Sequence, residues 1–299
     1  MTRSAYAHHP SAARSFLYVP ANNQDMLDKA LTRGADAVIV DLEDGVPNTE
    51  KNAARNAAAA WISEHSRAPT ELWVRLNPSP SLLGPDLDAV VREGLVGVYL
   101  PKASTVEDLE TAAQMIGQLE DARGLIAGSI RIAPLHETAA SILIIPQIAS
   151  SARVSHIAIG ETDLAADLAM HPSTDGHELN PIRLSVVVAS AAHGLNMPIG
   201  PVQTAFGDLE LLRSTSLMLR RMGYRGRAAI HPAQIPVINE AFASTRAEVE
   251  SARNILDRFE TARAEGAAVT IAEDGSLIDE AVVRRARVTL DAAPHNQGV

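Results

Sequence analysis

The sequence contains no cysteine. Disulfides, thiolate metal sites and cysteine nucleophiles are therefore excluded. Aromatic residues make up only 3%, so the 46% hydrophobic share rests on Ala, Val, Ile and Leu. No apolar run approaches the roughly 20 residues that span a bilayer. Met1–Ala13, MTRSAYAHHPSAA, lacks the apolar stretch of a signal peptide. Positive charge is also short: 26 Lys and Arg stand against 36 Asp and Glu, a formal net charge of −10. A general nucleic-acid binder needs the opposite field. GxGxxG, GxxxxGK(S/T), HExxH and GxSxG are all missing, which removes dinucleotide, P-loop, zinc-protease and serine-hydrolase readings. What is left is an acidic protein of 299 residues, long enough for a substantial core and expected to be soluble and cytoplasmic.

What is present is an alternation. Short β-rich runs occur at Phe16–Val19, Ala37–Leu42, Leu72–Leu76, Gly97–Leu100, Ile130–Leu135, His156–Ile159, Pro198–Pro201 and Ala228–Ile230. Helical patterns lie between them, at Gln24–Arg33, Glu50–Ser63, Leu82–Glu93, Val106–Leu119, Ala139–Ala152, Pro181–His193 and Leu209–Met222. Strands alternating with helices imply right-handed βαβ units and a parallel sheet. Several strand runs are continuously apolar, as strands covered on both faces should be. Eight units in about 220 residues predict a (β/α)₈ TIM barrel, with a doubly wound open sheet as the rival. The expected organisation is a flexible tail at 1–13, the barrel at 14–235 and a C-terminal helical arm or lid at 236–299. That arm starts with a long helical pattern running from Ala233 to about Glu265.

Active sites of such barrels are built at the C-terminal ends of the strands. Charged residues recur there: Asp41, Glu43 and Asp44 in AVIVDLEDG, Arg75 and Asn77 in ELWVRLN, Lys102 in VYLPK, Glu137 in RIAPLHET, and Glu161 and Asp163 in IAIGETD. Such a mouth suits a hard divalent cation on carboxylate oxygens, and Mg²⁺ needs only one or two of them. Glu137 and Asp163, from adjacent strands, supply such a pair. The alternative for Asp163 is to cap the helical LAADLAM that follows it. Arg75 lies in an apolar strand, where it is either a bidentate clamp for a substrate carboxylate or enolate oxygen, or the partner of Asp41 or Glu43 in a buried ion pair. His231 either lines the mouth or makes a structural hydrogen bond, and Trp61 and Trp73 read as core.

RSFLYVPANNQDMLDKA, ADAVIVDLEDGVPNTEKNAAR, WVRLNP, GVYLPKAS, PLHETAASI, IAIGETDLAADLAM and RGRAAIHPAQIPVINEAF, in that order, resemble the citrate lyase β-subunit-like branch of the HpcH/HpaI aldolase superfamily. The resemblance runs from Arg14 over almost the whole chain. It implies a trimeric or hexameric TIM barrel that makes or breaks a carbon–carbon bond beside a CoA thioester with Mg²⁺. Glu137 and Asp163 match the metal ligands, and Arg75 matches the arginine that binds substrate and stabilises the enolate. Glu43 and Asp44 match acids that hold metal-bound water, and Lys51 and Arg55 lie where CoA phosphates are met. The C-terminal EDGSLIDEAVVRRA matches a segment that reaches a neighbouring subunit, with Asp279 as its acid/base. Capping the last helix is the other role open to Asp279. Ala140, Gly200 and Arg225–Arg227 depart from the family pattern without removing a metal ligand. The implied activity is lysis of a malyl-CoA or citramalyl-CoA type thioester. A malyl-CoA-type thioesterase, a 4-hydroxy-2-oxo-acid aldolase and a non-enzymatic subunit or binding barrel are the alternatives.

Overall fold

The computed structural model describes residues 11–293. Strands β1 (Ser15–Pro20), β2 (Ala37–Asp41), β3 (Glu71–Arg75), β4 (Leu95–Pro101), β5 (Arg131–His136), β6 (Ala158–Ile159), β7 (Ile199–Gly200) and β8 (Gly226–Ala229) close into one barrel in sequence order. Every neighbouring pair is parallel, including the closing pair of β1 and β8. The helices between them are α1 (Gln24–Ala30), α2 (Lys51–Glu64), α3 (Pro80–Val90), α4 (Val106–Ala122), α5 (Ala139–Leu143), α6 (Ile145–Ala149), α7 (Glu161–Asp167), α8 (Asn180–His193) and α9 (Leu209–Met222). The fold is the expected (β/α)₈ TIM barrel.

The single helix expected over Ala139–Ala152 is two short ones. Thr138 and Ser141 form a reciprocal capping box that starts α5, and Pro146 occupies the first turn of α6, where its missing N–H costs nothing. The long helix expected from Ala233 is likewise divided, into α10 (Gln234–Phe242) and α11 (Arg246–Ala264), because Thr245 and Glu248 start a new capping box.

The scarce aromatics are concentrated. Phe16, Trp73 and Tyr99 pack inside the barrel with Ala37, Ile39, Ala133, Leu135, Ala158 and Ile199. His156 joins them, its Nε2 2.8 Å from the Tyr99 hydroxyl. Trp61 is buried outside the barrel and donates to the Leu27 carbonyl. Both tryptophans are core, as expected.

The described residues divide into two compact units at Ala241 and Phe242, so the boundary expected at 235/236 falls within α10. Of the tail expected at 1–13, residues 1–10 lie outside the described residues. Ser11 Oγ already donates to Glu71 Oε1 at 2.7 Å, and Ala13 is buried in the barrel interior. The second unit holds α11, a two-stranded antiparallel hairpin of β9 (Thr270–Ile271) and β10 (Leu277–Ile278), and α12 (Glu280–Asp291) around Phe259, Ile278 and Val283. No helix among the described residues is long and apolar enough to cross a membrane.

Candidate active site

Side chains alternate faces along a strand, so a residue two beyond an interior one also points inward. Ile39, Trp73 and Leu135 are interior, which places Asp41, Arg75 and Glu137 above them at the C-terminal mouth. All three line a cavity of about 410 Å³, together with Tyr18, Asp44, Glu161 and Asp163.

The cations sort these acids into paired and unpaired. Arg75 Nε and Nη2 donate to the two oxygens of Asp41 at 2.7 Å each. Asp41 also accepts the backbone N–H groups of Glu43 and Gly45 at 2.9 Å. Arg75 Nη1 lies 2.9 Å from Glu43 Oε2 as an ion pair without hydrogen-bond alignment, and Lys102 Nζ reaches Glu43 Oε1 at 3.1 Å. The ring of Tyr18 faces the guanidinium at 5.0 Å. Lys102 holds the left-handed backbone conformation, with φ of 55°, a costly state for a lysine that aims its chain at this cluster. Glu161 is taken by Arg183, whose Nε and Nη2 donate at 2.6 and 2.7 Å.

Glu137 and Asp163 are left. Neither makes a hydrogen bond or ion pair with another side chain among the described residues. Glu137 is 2% exposed and its Oε2 is buried without a partner. Burial first, then the negative charges of Glu43 and Asp163, push its pKa to about 8 despite Lys102 and Arg75. A buried, unneutralised oxygen and a second free carboxylate lining the same cavity are of the donor type that suits a hard cation with water and substrate in its other positions. Among the described residues no group of three or more His, Cys, Asp or Glu is placed to hold a metal ion, so protein ligands beyond this pair are not at hand. Asp44 is 61% exposed at its side chain and stays 3.8 Å from Arg75.

The cavity has two characters. Charged groups come from β2, β3, β5 and α7, whereas Ile159, Ile199, Gly200, Val202, Ala228 and Ile230 make the opposite wall apolar. Gly200 places no side chain in that wall.

Lys51 and Arg55 are not where a CoA phosphate could use them. Lys51 is 8% exposed and donates to the carbonyls of Leu42 and Glu43 at 2.7 Å each, so it fastens the loop that carries the acids. Arg55 Nε donates at 2.9 Å to buried Asp86, which also accepts from Asn77 N and Nδ2. Two exposed cations that the sequence did not single out are Lys29 and Arg33. They border a cavity of about 260 Å³ that shares Tyr18, Met26 and Ile230 with the first. Their spacing of four on an expected helix was the available signal.

His231 makes the structural contact of its two readings: Nδ1 accepts from Ala233 N at 3.2 Å, and the ring stacks on Phe206. Asp279, in the second unit, caps α12, its Oδ1 accepting from Ala281 N and Val282 N at 2.9 Å. Its Oδ2 makes no hydrogen bond among the described residues.

Residues 14–232 match the family model of HpcH/HpaI aldolase/citrate lyase. The chain is 32% identical over 282 residues to citrate lyase subunit beta of Haemophilus influenzae, covering 94% of this chain and 96% of that protein. It is also 32% identical over 295 residues to a (3S)-malyl-CoA thioesterase of Cereibacter sphaeroides, covering 96% of each. The Mycobacterium tuberculosis protein CitE, in complex with magnesium, acetoacetate and coenzyme A, superposes with a TM-score of 0.74 at 27% identity, over 95% of this chain and 98% of that one. A citrate lyase beta subunit from the same organism, complexed with oxaloacetate and magnesium, gives 0.65 at 28%, over 77% and 97%. The chain therefore belongs to the HpcH/HpaI aldolase/citrate lyase family of carbon–carbon lyases and is an enzyme of its citrate lyase β-subunit-like kind.

Proposed function

We propose that this enzyme cleaves a 3-hydroxy-3-carboxyacyl-CoA of the malyl-CoA or citramalyl-CoA type, giving acetyl-CoA with glyoxylate or pyruvate. The observation that carries it is the unpaired couple Glu137 and Asp163 beside the Asp41-braced Arg75, facing an apolar wall in one cavity. A hydroxy acid suits the charged side, and the thioester arm suits the apolar one. Magnesium accompanies acetoacetate and coenzyme A in one neighbour and oxaloacetate in another. Glu137 and Asp163 would hold Mg²⁺ here, with Glu43 and Asp44 near its waters. When bound, the ion supplies Lewis acidity toward the substrate's hydroxyl and carboxylate oxygens.

The remaining work falls to the chain. Asp41 occupies Nε and one Nη2 hydrogen of Arg75, leaving further guanidinium hydrogens for a substrate oxygen. As a base takes the hydroxyl proton, the hydroxyl oxygen becomes the keto-acid carbonyl, the carbon–carbon bond breaks, and that bond's electron pair becomes the acetyl-CoA enolate, whose oxygen Arg75 stabilises. Asp279 of a neighbouring copy, in a homotrimer or hexamer, returns a proton to the enolate carbon. Lys29 and Arg33, rather than Lys51 and Arg55, meet the CoA phosphates.

The likeness to a (3S)-malyl-CoA thioesterase favours a second reading, hydrolysis of the same substrate. One experiment separates them: a panel of CoA esters with Mg²⁺, products identified by mass spectrometry. A keto acid with acetyl-CoA is expected from wild type and is absent with Glu137→Ala. Free hydroxy acid with CoA establishes the thioesterase. Cleavage of free 4-hydroxy-2-oxo acids, or near-wild-type lysis by Glu137→Ala, would defeat the assignment.

A further inference from the structure

Helix α7 has a task larger than its size. It is seven residues long, buries only Leu164 and Ala165, and carries Asp163 in its first turn. A helix this short is marginal by itself, so its direction has to be set by what holds its ends. At the first end Glu161 is gripped by Arg183. Arg183 in turn donates from Nη1 to Asn180 Oδ1 at 2.9 Å, and Tyr224 Oη donates to its carbonyl at 3.1 Å. That end is held by α8 through its side chain and by β5 through its N-cap, where Gly160 N donates to the His136 carbonyl at 3.0 Å.

The other end is tied to the segment bearing Glu137. Asp167 Oδ2 accepts the backbone N–H of Ala139 at 2.6 Å, two residues beyond Glu137. This N–H is among the leading ones of α5, which have no partner within their own helix and favour a carboxylate. Asp163 and Asp167 are four apart and share a face of α7. The face that turns Asp163 to the cavity thus also turns Asp167 to α5. Two hydrogen bonds thus join the segments that supply the unpaired carboxylates: Gly160 N to the His136 carbonyl at 3.0 Å before the first turn of α7, and Ala139 N to Asp167 at its last.

We propose that Asp167 is a positioning residue that fixes the gap between Glu137 and Asp163 and so sets the site's affinity for a divalent cation. The inference rests on those two acids being the cation's ligands. It assigns Asp167 no contact with the cation or the substrate: Asp167 acts through the backbone of Ala139 and the axis of α7.

Binding of Mn²⁺, followed by electron paramagnetic resonance on wild type, Asp167→Ala, Asp167→Asn and the surface control Arg213→Ala, tests this. Groups that orient metal ligands typically change affinity by 10- to 100-fold. Asp167→Ala should weaken Mn²⁺ binding about 10-fold, whereas Asp167→Asn keeps an oxygen for Ala139 N and should bind nearly as wild type. Arg213→Ala, which loses only an exposed pair with Glu240, should bind unchanged. Thermal unfolding of each variant separates lost stability from lost affinity. A destabilised Asp167→Ala with wild-type affinity overturns the inference. So does an Asp167→Asn as weak as Asp167→Ala, because the effect would then be charge and not position. Wild type that takes up no Mn²⁺ overturns the reading of Glu137 and Asp163 themselves, and this inference with it.

Discussion

The side chain of Glu137 lies directly on the backbone of Gly160: a Cβ at 160 would fall 2.5 Å from both Cγ and Oε1 of Glu137. No real Cβ tolerates that approach, so Gly160→Ala must move the carboxylate off its seat. The barrel has little reason to unfold, since the neighbour that yields is the end of a side chain. Gly160→Ala should keep its circular dichroism spectrum and lose its thermal stabilisation by Mg²⁺. An unchanged Mg²⁺ response would mean that the carboxylate's position is unimportant.

Arg75 faces Asp41 through two parallel hydrogen bonds. A lysine keeps the charge but offers no planar fork. Arg75→Lys should therefore fold, because Asp41 retains a cation and two backbone donors, and should lose on the order of 100-fold in kcat/KM. Steady-state kinetics on the best CoA ester checks this; a loss of less than about threefold would remove Arg75 from the reacting oxygens.

The cations near the mouth divide by burial. Lys51→Met takes its donor from the Leu42 carbonyl and leaves the Glu43 carbonyl only the Val46 N–H, and should cost about 1–3 kcal/mol of unfolding free energy, leaving KM for the CoA ester close to wild type. Lys29→Ala and Arg33→Ala should raise KM, lessen its dependence on salt, and leave stability nearly unchanged. Urea titration and kinetics at two ionic strengths read both effects. Equal KM changes in all three variants would contradict the division.

Much of this was legible in the sequence. Parallel strands buried on both faces are continuous apolar runs, and the charged residue ending each run had to sit at the mouth, which is why Asp41, Arg75, Glu137 and Asp163 could be named. What failed was set by contacts between distant segments. Nothing local distinguishes the Lys51 ammonium, enclosed by Leu42 and Glu43 carbonyls, from a free one at a helix start. The break at Pro146 was misread because the Ala-rich pattern around it satisfies a helical period on both sides.

His156 gives the fold a dependence on acid. Complete burial pushes its pKa from 6.5 down to about 3, so the folded barrel holds it neutral while the unfolded chain takes up a proton below its ordinary value. The stabilisation is present above pH 6.5 and is lost as pH falls from there toward 3, with a limiting slope of about 1.4 kcal/mol per pH unit. His136, pushed to about 4 by burial, has the same sign. His156→Gln should flatten the fall in urea midpoint over that range while retaining part of it through His136. A slope identical to wild type would place the acid sensitivity elsewhere.

Asp279 has one observed role and one proposed role, and one substitution can separate them. Its Oδ1 caps α12, and its carboxylate is the proposed proton donor to the enolate. Asp279→Ala removes both and should cost about 1 kcal/mol in stability as well as turnover. Asp279→Ser keeps a capping oxygen, so its thermal midpoint should stay near wild type while kcat falls on the order of 10²- to 10⁴-fold. Mixing dissociated Glu137→Gln and Asp279→Ser subunits before reassembly then asks where the donor acts. If each site draws Asp279 from a neighbouring copy, mixed oligomers contain intact sites and activity returns. If the mixture stays as inactive as its parents, Asp279 serves the barrel of its own chain. Wild-type kcat in Asp279→Ser would leave capping as its whole function.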